Sequence, residues 1–140
     1  MAAWLVKTEP NAYSYADLER DGTAEWDGVT NALAQRHLRS MREGDAGVVY
    51  HSGVDRAAIG LARVASEPYP DPTDAAGKRV WVDLRAERRL ARAVSLAELR
   101  AEPSFAASPL VRMSRLSVLP LEPEQLATIE RLGGGTGSMP

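Results

Sequence analysis

"AGVVYHS", residues 46–52, is an apolar run that ends on two polar residues, and it reads as a compact strand. The turn into it is "EGD" (43–45). "AAIGLARVASE" (57–67) follows as a second strand, with Gly60 placed to permit a bulge or a close backbone contact. "RVWVDLRAERRL" (79–90) is a third, in which Val80, Val82 and Leu84 alternate with Trp81, Asp83 and Arg85. Between the second and third lies "PYPDPTDAAGK" (68–78), a loop by its prolines, aspartates and glycine. Its Asp71 and Asp74 are read as turn formers, since aspartate bonds its own backbone in turns. Three strands in succession make a sheet the organising element of the chain.

Short elements flank this centre. Residues 2–7 read as a strand that "EPN" ends, and Ser14 caps a short helix over 15–20, with Asp17 at its third position and Gly22 beyond its end. A longer helix is expected from about Val29 to Arg42. Ala34, Leu38 and Met41 line one side of it, and Arg36, Arg39 and Arg42 recur along another. Ser95 and Glu98 form a capping box for a helix over 95–99. "RLSVLPL" (115–121) is a strand closed by Pro120, and Glu122, Pro123 and Glu124 open a last helix to about Leu132. The pattern predicts one α+β domain over 1–133, a curled sheet or small barrel with peripheral helices, and a flexible tail over 134–140.

The chain has 140 residues, 44% of them hydrophobic and 26% charged, which suits a single folded core. The absence of cysteine excludes disulfides and thiolate metal sites. His37 and His51 do not form a metal motif, so neither a metal nor a cofactor is expected. No signal-peptide or membrane-spanning run is read, and the default expectation is a soluble cytoplasmic protein with a monomer favoured. "GGGTG" follows a helix instead of joining a strand to one, so it is no phosphate loop. Nothing supports a nucleophile elbow, and a non-enzymatic role is expected.

A net charge of -2 gives no global case for nucleic acid, so any such role rests on local clusters. Residues 78–92 carry Lys78, Arg79, Arg85, Arg88, Arg89 and Arg92 against Asp83 and Glu87. With Arg36 and Arg39 they are candidate contacts to a phosphate backbone; a solvated strand end and helix face is the plain alternative. His51 and Ser52 end a strand, where they either satisfy local backbone or face a cavity. Trp4 and Trp81 sit within strands and read as structural. Trp26 lies in an irregular segment beside Asp27 and Gly28, and the residues alone leave it open between core packing and a pocket wall.

Six blocks in order, "WLVKTEP" (4–10), "EWDGVTNALAQRHLRSM" (25–41), "GDAGVVYHS" (44–52), "IGLARVASEPYPDPT" (59–73), "VSLAEL" (94–99) and "RLSVLPL" (115–121), resemble the EVE domain family. The resemblance implies a PUA-like mixed β-barrel with peripheral helices, and a partner that is DNA or RNA carrying a modified base. The family is similar to YTH domains, which hold a methylated adenine in an aromatic cage. By that likeness Trp26 corresponds to a cage wall and Asp27 to a base contact. Lys7, Thr8 and Glu9 correspond to a first-strand segment touching base and phosphate, and Arg115 to a basic residue near the final strand. Gly28 and the retained Asn31 complete the helix entry. That entry departs from the family's usual "WDGVRNYQAR": Thr30 and Gln35 replace arginines, Ala32 an aromatic and Leu33 a glutamine. The runner-up reading is a PUA-like domain that binds, or acts on, a small nucleobase-like metabolite.

Overall fold

The structure, a computed structural model, describes residues 2–134. The tail expected over 134–140 therefore lies, apart from Gly134, outside the described residues. Strand β1 (Ala3–Thr8) pairs in parallel with β3 (Ala46–His51), from Ala3 opposite Ala46 to Thr8 opposite His51. Its other edge pairs antiparallel with β8 (Val118–Leu121). Beyond β3 come β4 (Ala57–Val64), β7 (Asp83–Ser95) and β2 (Thr23–Glu25), all antiparallel to their neighbours. The result is one six-stranded mixed sheet, ordered β2-β7-β4-β3-β1-β8, curled into a half-barrel. The curled-sheet expectation is met, with the sheet open at β2 and β8.

The curl has local causes. Register shifts at Val49/Tyr50, Ala58/Gly60 and Leu61/Ala62 insert bulges that bend the strands and raise their twist. At Gly60 the ring of the fully buried Tyr15 lies where a side chain would stand: an added Cβ would come within 2.3 Å of it. The Tyr15 hydroxyl donates to Leu61 O at 2.7 Å. Gly60 thus combines both roles expected of it, and it seats α1 (Tyr15–Asp21) on the sheet. Ser14 and Asp17 form the capping box of that helix.

Helix α2 (Ala32–Ser40) starts three residues after the predicted Val29, because Asn31 is its cap and accepts from Ala34 N at 2.9 Å. Its buried Ala34 and Leu38 face the core with the capping Met41, as the spacing predicted. It packs on the edge strand β8 and reaches Val80 through Gln35.

The strand expected over 79–90 is divided. β6 (Val80–Trp81) pairs with β5 (Tyr69–Pro70), inside the predicted loop, where Tyr69 donates to Asp83 and stands edge-on to Trp81. β7 runs on to Ser95 because Ala57 and Ala58 of β4 pair with Ser95 and Val94. Helices α3 (Leu96–Arg100), α4 (Pro109–Arg112) and α5 (Pro123–Leu132) follow on the periphery, and the predicted strand over 115–121 is confined to β8. Trp4 is structural: its Nε1 donates to the buried Asp45 at 3.0 Å, which also accepts from the Arg42 backbone. Among the described residues no helix is long and apolar enough to cross a membrane.

Candidate functional site

The C-terminal end of β1 and the irregular segment after β2 face each other across a cleft of about 600 Å³. Lys7 and Thr8 come from β1, Tyr13 from the link to α1, Glu25 from β2, and Trp26, Asp27, Gly28 and Val29 from the segment beyond it; Asp21 and Ser117 also line it. The segment is held open by three devices. Trp26 N donates to Val82 O at 2.7 Å, Gly28 adopts φ 73°, and Val29 O accepts from the buried Gln35 amide at 2.8 Å. Gln35 also exchanges bonds with both backbone groups of Val80. One departure from the family's helix entry is therefore a structural clamp.

Trp26 belongs to the core and to the cleft at once. It is 6% exposed and packs within the main hydrophobic cluster. Tyr13 meets it edge-on, with ring centroids 6.2 Å apart at 83°. The Tyr13 hydroxyl donates to Asp21 at 2.7 Å, and burial together with that bond pushes its pKa up to about 12. The Thr8 hydroxyl donates to Tyr13 O at 2.6 Å, which leaves its own oxygen as an acceptor. The half-buried Lys7 donates to Ser114 O at 3.0 Å and lies 5.6 Å above the Tyr50 ring. Burial holds its ammonium below the ordinary lysine value. Among the described residues, Lys7 is the cation lining the cleft, against the carboxylates of Asp21, Glu25 and Asp27.

The other sequence candidates fall elsewhere. The Glu9 carboxylate packs on Gly53, in the turn after β3. Asn31 spends its side chain on capping α2. His51, buried, accepts from Tyr15 N through Nε2 and meets Asp55 through Nδ1 at 3.1 Å, and Ser52 N donates to Thr8 O. Arg115 is exposed, two residues before Ser117. Arg36 is exposed on α2, and Arg39 donates to Lys78 O. Arg88 faces Glu130 at 3.6 Å, and Arg89 pairs with Glu19 at 2.6 Å above the Tyr15 ring. The structure brings together Lys7, Thr8, Trp26, Asp27 and Gly28, and adds Tyr13, Asp21, Glu25 and Ser117. Of these Tyr13 carried a signal: an aromatic in the polar link directly after the first strand.

A curled mixed sheet with peripheral helices and a cleft at the end of its first strand defines a PUA-like α+β domain. The EVE domain profile matches residues 2–132, and the chain belongs to that family. It is 32% identical to human thymocyte nuclear protein 1, over 87% of this chain and 69% of that protein. Rpa0253 of Rhodopseudomonas palustris has the same fold, with a TM-score of 0.90 and 41% identity over 96% of this chain and 94% of its own. Human THYN1 protein, solved in complex with 5-methylcytosine containing DNA, matches with a TM-score of 0.80 and 29% identity over 95% and 98%. The YTH domain of Zygosaccharomyces rouxii MRB1 shares the fold at a TM-score of 0.59 and 17% identity, over 94% and 86%.

Proposed function

We propose that the chain is a non-enzymatic binding domain that holds a modified base of DNA or RNA, flipped or single-stranded, in the cleft beside Trp26. The observation that carries this reading is the lining itself: Trp26 and Tyr13 give it an aromatic surface, Glu25 and Asp27 flank Trp26 as acceptors, and Lys7 adds one ammonium from β1. Glu25 and Asp27 suit a base with an exocyclic amine, cytosine or adenine, because carboxylates accept from such amines, whereas Asp21 is already taken by Tyr13 and Arg20. The volume is that of a small-molecule site, so a base must leave its stack to enter. The complex of human THYN1 with 5-methylcytosine containing DNA supports the same class of partner. A methyl group buried against the aromatic wall contributes about 0.8 kcal/mol, or roughly fourfold in affinity.

Calorimetric titration tests this with single-stranded oligonucleotides carrying 5-methylcytosine, N6-methyladenine or the unmodified bases. The expected result is several-fold tighter binding of one modified strand, weakened about tenfold by Asp27→Asn. Equal affinity for modified and unmodified strands ends the proposal.

One observation favours the metabolite reading: Glu25 and Asp27 line the cleft without an ion pair among the described residues and repel phosphate, while Asp21 is held by Arg20. If that reading holds, a free nucleoside binds as tightly as the oligonucleotide, and salt leaves the affinity unchanged.

A further inference from the structure

The acidic lining raises the question of where the phosphates of a bound strand would run. From the cleft, Lys7 reaches over the ring of Tyr50, its register partner on β3. Beyond lies a second, smaller cleft of about 190 Å³ between the β3–β4 turn and α3, lined by Arg56 and Arg100 among others. Neither arginine is ion-paired among the described residues. Asp55, the carboxylate lining this cleft, is engaged by His51. Arg56 also has φ 42°, a left-handed backbone that a non-glycine side chain adopts at a cost.

Resting on the base-binding reading above, we infer that Lys7, Arg56 and Arg100 form the phosphate track, carrying the backbone of the bound strand from the Trp26 cleft past Tyr50 to the small cleft. The two clefts meet through the end of β3: Thr8, which lines the first, is the register partner of His51, and His51 Nδ1 lies 3.1 Å from Asp55 of the second. The arginines of β7, by contrast, already hold carboxylates: Arg88 with Glu130, Arg89 with Glu19 and Arg92 with Glu98. A phosphate there would have to displace a partner that is already bonded.

The test compares Arg56→Asn/Arg100→Gln with Arg88→Gln/Arg89→Gln; asparagine at 56 removes the charge yet accepts the left-handed backbone. Three kinds of probe are titrated: the deoxynucleosides of 5-methylcytosine and N6-methyladenine, single-stranded oligonucleotides containing each, and inorganic phosphate. Thermal melts confirm that each variant is folded. The expected result is an oligonucleotide affinity at least tenfold lower for Arg56→Asn/Arg100→Gln. The slope of log affinity against log salt flattens by roughly 1, as loss of one to two phosphate contacts to a single strand requires. Nucleoside affinity is unchanged, and Arg88→Gln/Arg89→Gln matches the parent with every probe. An oligonucleotide affinity lost only in the β7 variant overturns the track and leaves the base cleft standing. Inorganic phosphate that binds the parent as tightly as the oligonucleotide makes the small cleft an anion site and also overturns it. Failure of the parent to bind nucleoside and oligonucleotide alike, with 5-methylcytosine and with N6-methyladenine, overturns both the cleft and the track.

Discussion

Arg88, Arg89 and Arg92 on β7 each face a carboxylate brought in by a helix, whereas Arg56 and Arg100, far apart in sequence, share one cleft and are unpaired among the described residues. The first group stands out in the amino-acid sequence and the second does not. Density of charge along a chain says little about the field it presents, because tertiary contacts decide which charges are compensated. The β7 group supports the fold. Arg89 lies 5.4 Å above the Tyr15 ring, which itself covers Gly60. The Arg56–Arg100 pair leaves its charge available to a ligand.

Breaking the structural side at its centre should have the largest effect. Tyr15→Ala empties a fully buried ring site over Gly60 and should cost about 3–5 kcal/mol, read from denaturant unfolding. A loss under about 1 kcal/mol would mean that α1 is not anchored there. Arg89→Gln removes an exposed ion pair and the cation over the same ring. Its expected cost is about 1 kcal/mol of stability, with oligonucleotide affinity unchanged. Arg56→Asn should behave oppositely, weakening the oligonucleotide while raising stability by about 0.5 kcal/mol, because asparagine relieves the left-handed backbone. If both arginines change stability and binding in the same direction, the distinction between the two regions fails.

The smallest expected effect is in acid. The Arg92 guanidinium and the Ser95 backbone hold the Glu98 carboxyl down to about 2, against an ordinary 4.5. A carboxylate depressed in the folded state contributes stability that is fully present above pH 4.5 and is lost as pH falls toward about 2. Glu98→Gln should therefore lower the melting temperature slightly at neutral pH and flatten its decline between those limits. An unchanged acid limb would show that this half-exposed pair contributes nothing.

How much of this was legible follows from the range of each signal. Ser14 and Ser95 act on near neighbours, and the apolar runs of β1, β3 and β4 are local, so the centre of the sheet and these helix caps could be read. Asn31 has the side chain of a cap, and it sets the start of α2 three residues after the predicted Val29. The β5–β6 pair was missed because it depends on Tyr69 meeting Asp83 and Trp81 across a proline-rich turn. Trp26 could not be assigned from sequence to core or cleft, and the fold shows why: it serves as both. The partners of Arg88 and Arg89 lie on α5 and α1, and no local pattern announces them.

The parallel pairing of β1 with β3, and the docking of β8 on the free edge of β1, also set when the cleft can exist. Its floor is laid down by residue 8 and its far rim by Ser117, so the site draws on both ends of the chain. Contacts of such long sequence separation close late and slowly. During synthesis, which proceeds from the N-terminus, Lys7 and Trp26 leave the ribosome long before Ser117, the last residue to line their cleft. A chain stopped short of β8 would carry every residue that lines the cleft and leave the outer edge of β1 without its partner strand.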